Sequence, residues 1–161
     1  MAGGTINHSV FCANLMTTIG PLLTTTKCRQ FDGNTNLTID ALKAILHPDF
    51  FVTCDGIKES KFDKNGITNA RVIIEVLSKT TALCDRTGKF TKYKQIPEFE
   101  EYVLINQDRR LVETFIKHEN KLWYLKDYEE LDERFVIQTL NLEISMEAIY
   151  KDVVFKIEDL I

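Results

Sequence analysis

The run Arg71-Val72-Ile73-Ile74-Glu75-Val76-Leu77-Ser78 constrains this chain more than any other stretch. It reads as a strand with apolar residues on both alternating faces, Val72, Ile74 and Val76 on one and Ile73 and Leu77 on the other. A strand of that kind belongs in the middle of a sheet covered on both sides. Glu75 then points into protein, where an ionised carboxylate without a partner is strongly disfavoured. A divalent metal or a buried cation must compensate it. A second acid occupies a comparable place in His47-Pro48-Asp49-Phe50-Phe51-Val52-Thr53-Cys54, at the mouth of another hydrophobic strand. Two strand-borne acids in a chain of 161 residues point to a metal site.

Around these strands the pattern is that of one α/β domain spanning residues 1–161. Ile6, Val10, Ala13, Leu15, Ile19 and Leu22 or Leu23 recur at helical spacing, with Gly20-Pro21 expected to disturb the last turn. Residues 28–31 and 37–42 read as short strands joined by the turn Asp32-Gly33-Asn34, and residues 55–69 as a polar loop. A helix is expected over 80–95, stopped by Pro97. Strands follow over 101–106, 111–118, 121–128 and 135–140, and a helix over 145–150 closes the pattern. The economical architecture is a mixed β-sheet flanked by helices, with C-terminal β-hairpins added at one edge.

Hydrophobic residues at 44% and charged residues at 27% lie in the globular range, and one respectable core is expected. No apolar run reaches membrane-spanning length and no signal peptide opens the chain, so a cytoplasmic protein without a membrane partner is expected. Cys12, Cys28, Cys54 and Cys84 lack CxxC spacing and read as buried free thiols. The net charge of −4 argues against a general nucleic-acid binder. Charge is uneven, however: Lys79, Arg86, Lys89, Lys92 and Lys94 cluster just after Glu75, whereas residues 127–133 are acidic. A basic cluster of this sort is equally well a solvated helix face.

Pro48-Asp49, then Glu75-Val76-Leu77-Ser78, then Asp85 with Lys89 and Tyr93, resemble the restriction-endonuclease family abundant in cyanobacteria, a branch of the PD-(D/E)XK nuclease superfamily. The likeness runs from Met1-Ala2-Gly3-Gly4, with His8 and Asn14, to Ala148-Ile149-Tyr150. Each motif is short; their order and spacing together carry the resemblance. It implies a restriction-endonuclease-like α/β fold, a divalent-metal-dependent nuclease using Mg²⁺ (or Mn²⁺), and DNA as partner. Members of the family carry a further N-terminal segment with a glutamate-bearing motif before the region matched by Met1-Ala2-Gly3-Gly4, so an acid from that segment is expected to be missing here.

Phosphodiester hydrolysis needs a hydroxide nucleophile, neutralised phosphate charge and help for the leaving oxygen, and metal ions serve all three. Mg²⁺ favours hard oxygen ligands and keeps several waters, so two carboxylates and a carbonyl suffice. Asp49 and Glu75 supply the carboxylates, and by resemblance the carbonyl of Val76 is the third ligand. The superfamily's lysine, two positions after the acid, is replaced here by Leu77. Lys79 shares strand parity with Glu75 but lies roughly 13 Å further along an extended strand. Lys89 matches the family's lysine and is the expected catalytic amine, with Asp49 and Glu75 as its catalytic partners and Lys79 as the fallback. The plainer readings are a metal-free Glu75–Lys89 ion pair, a turn role for Asp49, a surface Asp85–Lys89 pair, a satisfied helix histidine at His8, and core packing for Tyr93. Two function classes follow, a DNA endonuclease acting as a homodimer, and a catalytically inactive binding or assembly module of the same fold. Trp123, Tyr124 and Leu125 mark the expected dimer contact. RNA is the alternative substrate.

Overall fold

The computed structural model describes residues 4–156, so Met1-Ala2-Gly3 of the N-terminal match lie outside the described residues. Helix α1 (Ile6–Leu23) begins at Thr5, whose hydroxyl accepts from the His8 amide as an N-cap. Its buried residues Phe11, Leu15, Ile19 and Leu23 repeat every four positions and lie on one apolar face. The helix runs through Pro21 to Leu23 rather than breaking there. In this last turn Pro21 costs the helix one backbone bond, the one its missing amide would give to the Thr17 carbonyl.

Six strands form the main sheet: β1 (Cys28–Asp32), β4 (Phe50–Cys54), β6 (Val72–Leu77), β7 (Glu101–Asn106), β8 (Val112–Lys117) and β9 (Trp123–Tyr128), in the spatial order β1-β4-β6-β7-β8-β9. The β6–β7 pair is parallel and the other neighbours are antiparallel, a mixed sheet with β6 well inside it. Parallel pairing requires a crossover, and the chain makes it through residues 78–100, which carry wide π-type turns at Cys84–Lys89 followed by α2 (Phe90–Tyr93). That helical stretch is shorter than the expected 80–95. β2 (Asn36–Ile39), β3 (Ala44–Leu46) and β5 (Gly66–Ile67) form a small second sheet, and β10 (Arg134–Ile137) pairs with β11 (Leu142–Ser145) ahead of α3 (Met146–Ile149).

Two expected strands end early for the same reason. Residues 40–42 and 138–140 turn as 3₁₀ helices, each closed by a residue with positive φ, Lys43 and Asn141, which swings the chain into β3 and β11. Strand β5 lies inside the stretch expected to be loop.

The sheet separates two apolar layers. Val72, Ile74 and Val76 pack with α1, α3 and the β10–β11 hairpin, while Ile73 and Leu77 pack with Tyr93, Ile96, Phe99 and Tyr102. The two faces read from the sequence are the two faces observed. Phe90 stacks on Tyr102 and meets Trp123 edge-on, so Trp123 is a packing residue, whereas Tyr124 and Leu125 are exposed.

One expectation about cysteine is overturned. Cys28 and Cys54 are directly opposed on β1 and β4 and form a disulfide, and Cys84 is exposed rather than buried. Antiparallel register set this pairing, and register is not visible in cysteine spacing.

Candidate active site

Strand β6 carries Glu75 on the face of Ile73 and Leu77, only 1% exposed. The β4–β6 register pairs Phe50 with Ile74, so the next position outward sets Asp49 against Glu75. There the chain leaves regular pairing, and Asp49 Oδ2 accepts from the Val76 amide at 2.8 Å while the Asp49 amide makes a long 3.4 Å contact to Glu75 Oε2. The two strand acids anticipated from the sequence are therefore neighbours. Glu75 Oε1 accepts from the Tyr93 hydroxyl at 2.6 Å and from Lys89 Nζ at 3.2 Å, leaving Oε2 the less committed oxygen, turned to Asp49.

Lys89 reaches Glu75 from the last π-type turn, and its Nζ also lies 2.7 Å from Asp85 Oδ1. Lys89 thereby compensates the fully buried Oδ1 of Asp85. Asp85 is 2% exposed, so the Asp85–Lys89 pair is interior rather than the surface pair that four-residue helical spacing suggests. Arg86 pairs with Glu113 and Lys94 lies over the Phe90 ring, so the basic cluster is partly spent on structure.

His8 reaches the site from the first turns of α1, its Nε2 2.9 Å from Asp49 Oδ1. Gly4 makes room for it: a Cβ there would come within 2.9 Å of the imidazole Nδ1. Cys12, one turn further on, places its sulfur 3.8 Å from the same nitrogen. The proximity of His8 was signalled only by resemblance. The Asp85–Lys89 pairing was legible from its four-residue spacing, but its burial was not, and the Cys12–His8 contact was not anticipated.

The charges are graded across the pair. Burial pushes Glu75 up to about 8 against the pull of Lys89, with Asp49 adding to the rise. Burial also disfavours the Asp49 anion, but the His8 hydrogen bond and the Val76 amide outweigh it and hold Asp49 below the usual carboxylate range. His8 rises to about 10, chiefly through its hydrogen bond to Asp49. Tyr93 is pushed well up by burial and by Glu75, so it stays a donor. Lys89 loses to burial but gains more from Glu75 and Asp85, and stays cationic. The result is a carboxylate held ready beside one that accepts a proton easily. Two surface concavities, one around Leu131, Ser145 and Tyr150 and one around Asp55, Lys58 and Arg71, are lined by neither acid.

An ordered pair of acids at adjacent strand mouths, backed by a lysine, is the arrangement against which known proteins are best compared. Residues 1–147 match the family described as "Uma2: Putative restriction endonuclease". This chain belongs to that family. Among its relatives is the Synechocystis "Uncharacterized protein slr1290", 30% identical over 159 residues, covering 96% of this chain and 80% of that protein. Another, Synechocystis "Uncharacterized protein sll1609", is 29% identical over 127 residues, covering 79% of this chain and 72% of that one. A crystal structure of "a putative nuclease belonging to DUF820" from Anabaena variabilis superimposes with a TM-score of 0.74 at 15% identity, over 94% of this chain and 84% of that one. The Uma2 chain thus has the restriction-endonuclease-like fold, with the extra C-terminal hairpins, and no helix among its described residues is long and apolar enough to cross a membrane.

Proposed function

We propose that this Uma2 chain is a divalent-metal-dependent endonuclease that hydrolyses phosphodiester bonds in DNA, its single domain spanning residues 1–161. The observation that carries the reading is the contact of Asp49 with the Glu75–Val76 segment, 2.8 Å from carboxylate to Val76 amide. The donor set fits Mg²⁺ or Mn²⁺, with two adjoining carboxylates, one negatively charged well below neutrality, and hard oxygens throughout. Asp49 and Glu75 would hold the ion with the carbonyl of Val76, which in an extended strand points to the same side as its amide and hence toward Asp49. When bound, the ion supplies an activated water and screens phosphate charge. Lys89 is the catalytic amine, orienting the attacking water or countering phosphate charge from its place beside Glu75. Tyr93 fixes the Glu75 rotamer, and His8 fixes Asp49. Cleaving both strands of a duplex takes two such sites, and we assign a homodimer whose contact uses exposed Tyr124 and Leu125. Its place is the cytoplasm, with DNA.

One observation favours a second reading. Glu75 is nearly inaccessible and already gripped by Lys89 and Tyr93, which is how an inactive binding or assembly module of this fold would rest. Nicking of supercoiled plasmid with Mg²⁺ or Mn²⁺ separates them. The endonuclease reading requires metal-dependent nicking that falls on the order of 10³-fold in Glu75→Ala, about 4 kcal/mol of barrier. Lys89→Ala is expected to lose roughly 10–100-fold. An inert wild type that binds no Mg²⁺ by calorimetry assigns the chain to the module class.

A further inference from the structure

The edge of the site turned toward α1 has a different chemistry from its acid pair. His8 and Cys12 stand four residues apart on one face of the helix; His8 Nε2 reaches Asp49 Oδ1 at 2.9 Å across the gap between α1 and the start of β4, and Cys12 Sγ lies 3.8 Å from His8 Nδ1. One ligand atom from each of the three, nitrogen, sulfur and carboxylate oxygen, lies within 4.8 Å of the other two. Cys12 is a free, half-buried thiol with no part in the reaction described above. Thiolate and imidazole are poor ligands for Mg²⁺ but suit Zn²⁺ and its chemical neighbours. His8 Nε2 and Asp49 Oδ1, 2.9 Å apart, need to part by only about half an ångström to become neighbouring tetrahedral ligands on bonds of ~2.1 Å.

We infer that His8, Cys12 and Asp49 form a binding site for a borderline transition-metal dication of the Zn²⁺ class, with a coordination position left for water. Two ligands from one helix and one from a strand mouth make the site depend on the α1–β4 contact, not on a loop. The ion takes Asp49 as a ligand, so it withdraws the better-ionised carboxylate from the acid pair. On the endonuclease reading above, on which this consequence rests, Zn²⁺ inhibits Mg²⁺-dependent cleavage through Cys12.

Co²⁺ is the probe, because thiolate ligation gives it a charge-transfer band whatever the catalytic state of the protein. The full chain, with its Cys28–Cys54 disulfide intact, is titrated anaerobically with Co²⁺ alone. The expected result is a thiolate band saturating at one ion per chain. The band is retained in Cys84→Ser and in Glu75→Gln, lost in Cys12→Ser, and displaced by Zn²⁺, with Co²⁺ affinity in Cys12→Ser down roughly tenfold or more. Circular dichroism matching wild type shows that Cys12→Ser still folds. No band in wild type, or a band that survives Cys12→Ser, overturns the site. In the plasmid assay, Zn²⁺ is expected to inhibit wild type and to spare Cys12→Ser; equal inhibition of both overturns the regulatory consequence alone. If neither protein nicks DNA, the endonuclease reading falls, and the Co²⁺ band still decides the metal site.

Discussion

The two faces of β6 make an instructive contrast. On one, Val72, Ile74 and Val76 pack with apolar side chains of α1, α3 and the C-terminal hairpin, and Glu101, buried opposite Val72, accepts from the Gln138 and Thr139 amides. On the other, Ile73 and Leu77 flank a carboxylate, and the covering layer is aromatic, with Tyr93, Tyr102, Phe90 and Phe99 in edge and stacked contact. Aromatic residues with hydroxyls suit such a face because each buries a large apolar area while delivering one polar group. Tyr93 gives its hydroxyl to Glu75 and Tyr102 gives its own to the Asp85 carbonyl. One face meets its buried acid with backbone amides at the rim of the sheet. The other meets its own with side chains, and burial raises Glu75 to about 8.

That division can be broken by substitution. Ile74→Ala should have the largest effect on stability, about 2–5 kcal/mol by denaturant unfolding, with the shape of the stability–pH curve unchanged. Tyr93→Phe should cost about 1–3 kcal/mol, since Glu75 Oε1 loses its shortest hydrogen bond in a buried setting. A loss as large as that of Ile74→Ala would mean that the aromatic face is as structural as the aliphatic one.

Protonation sharpens the contrast further. Glu75 has its folded pKa raised to about 8 from 4.5, so the metal-free protein binds more protons folded than unfolded across that window. Its contribution is complete below about pH 4.5 and disappears as pH rises through about 8. Glu75→Gln should therefore flatten the decline in unfolding free energy between those values, and a curve identical to wild type would show that Glu75 is not strained by burial. The same residue predicts that Mg²⁺ affinity, measured by calorimetry, climbs as pH rises toward 8. His8 should give the smallest effect: its pKa is raised to about 10, so its contribution is present below about pH 6.5 and lost as pH rises through 10. His8→Gln should remove that upper slope and leave the Glu75 slope intact.

Much of this was legible in the chain, and the limits have physical causes. β6 announces itself because period-two patterning is local, and the same pattern assigned its two faces correctly. Asp49 and Glu75 stood out because an acid inside an apolar strand is conspicuous whatever surrounds it. Lys89 was reachable only through resemblance, since the strand position that would ordinarily carry an amine holds Leu77. Asp85 looked like half of a surface pair because helical spacing says which residues align but not which face is covered. The Cys28–Cys54 bond depends on how β1 registers against β4, and residue spacing does not encode register. β3, β5 and β11, with two to four residues each, are too short for any periodicity to show.

Val76 contributes to the site through its backbone, and this changes what tolerance to substitution means there. The Asp49 carboxylate is held by the amide of residue 76, so valine, isoleucine or leucine would serve alike at that position. Proline alone would not, having no proton to give and no place in a central strand. A position next to both acids can thus vary freely among aliphatic residues and look like ordinary core, although it anchors the more acidic of the two.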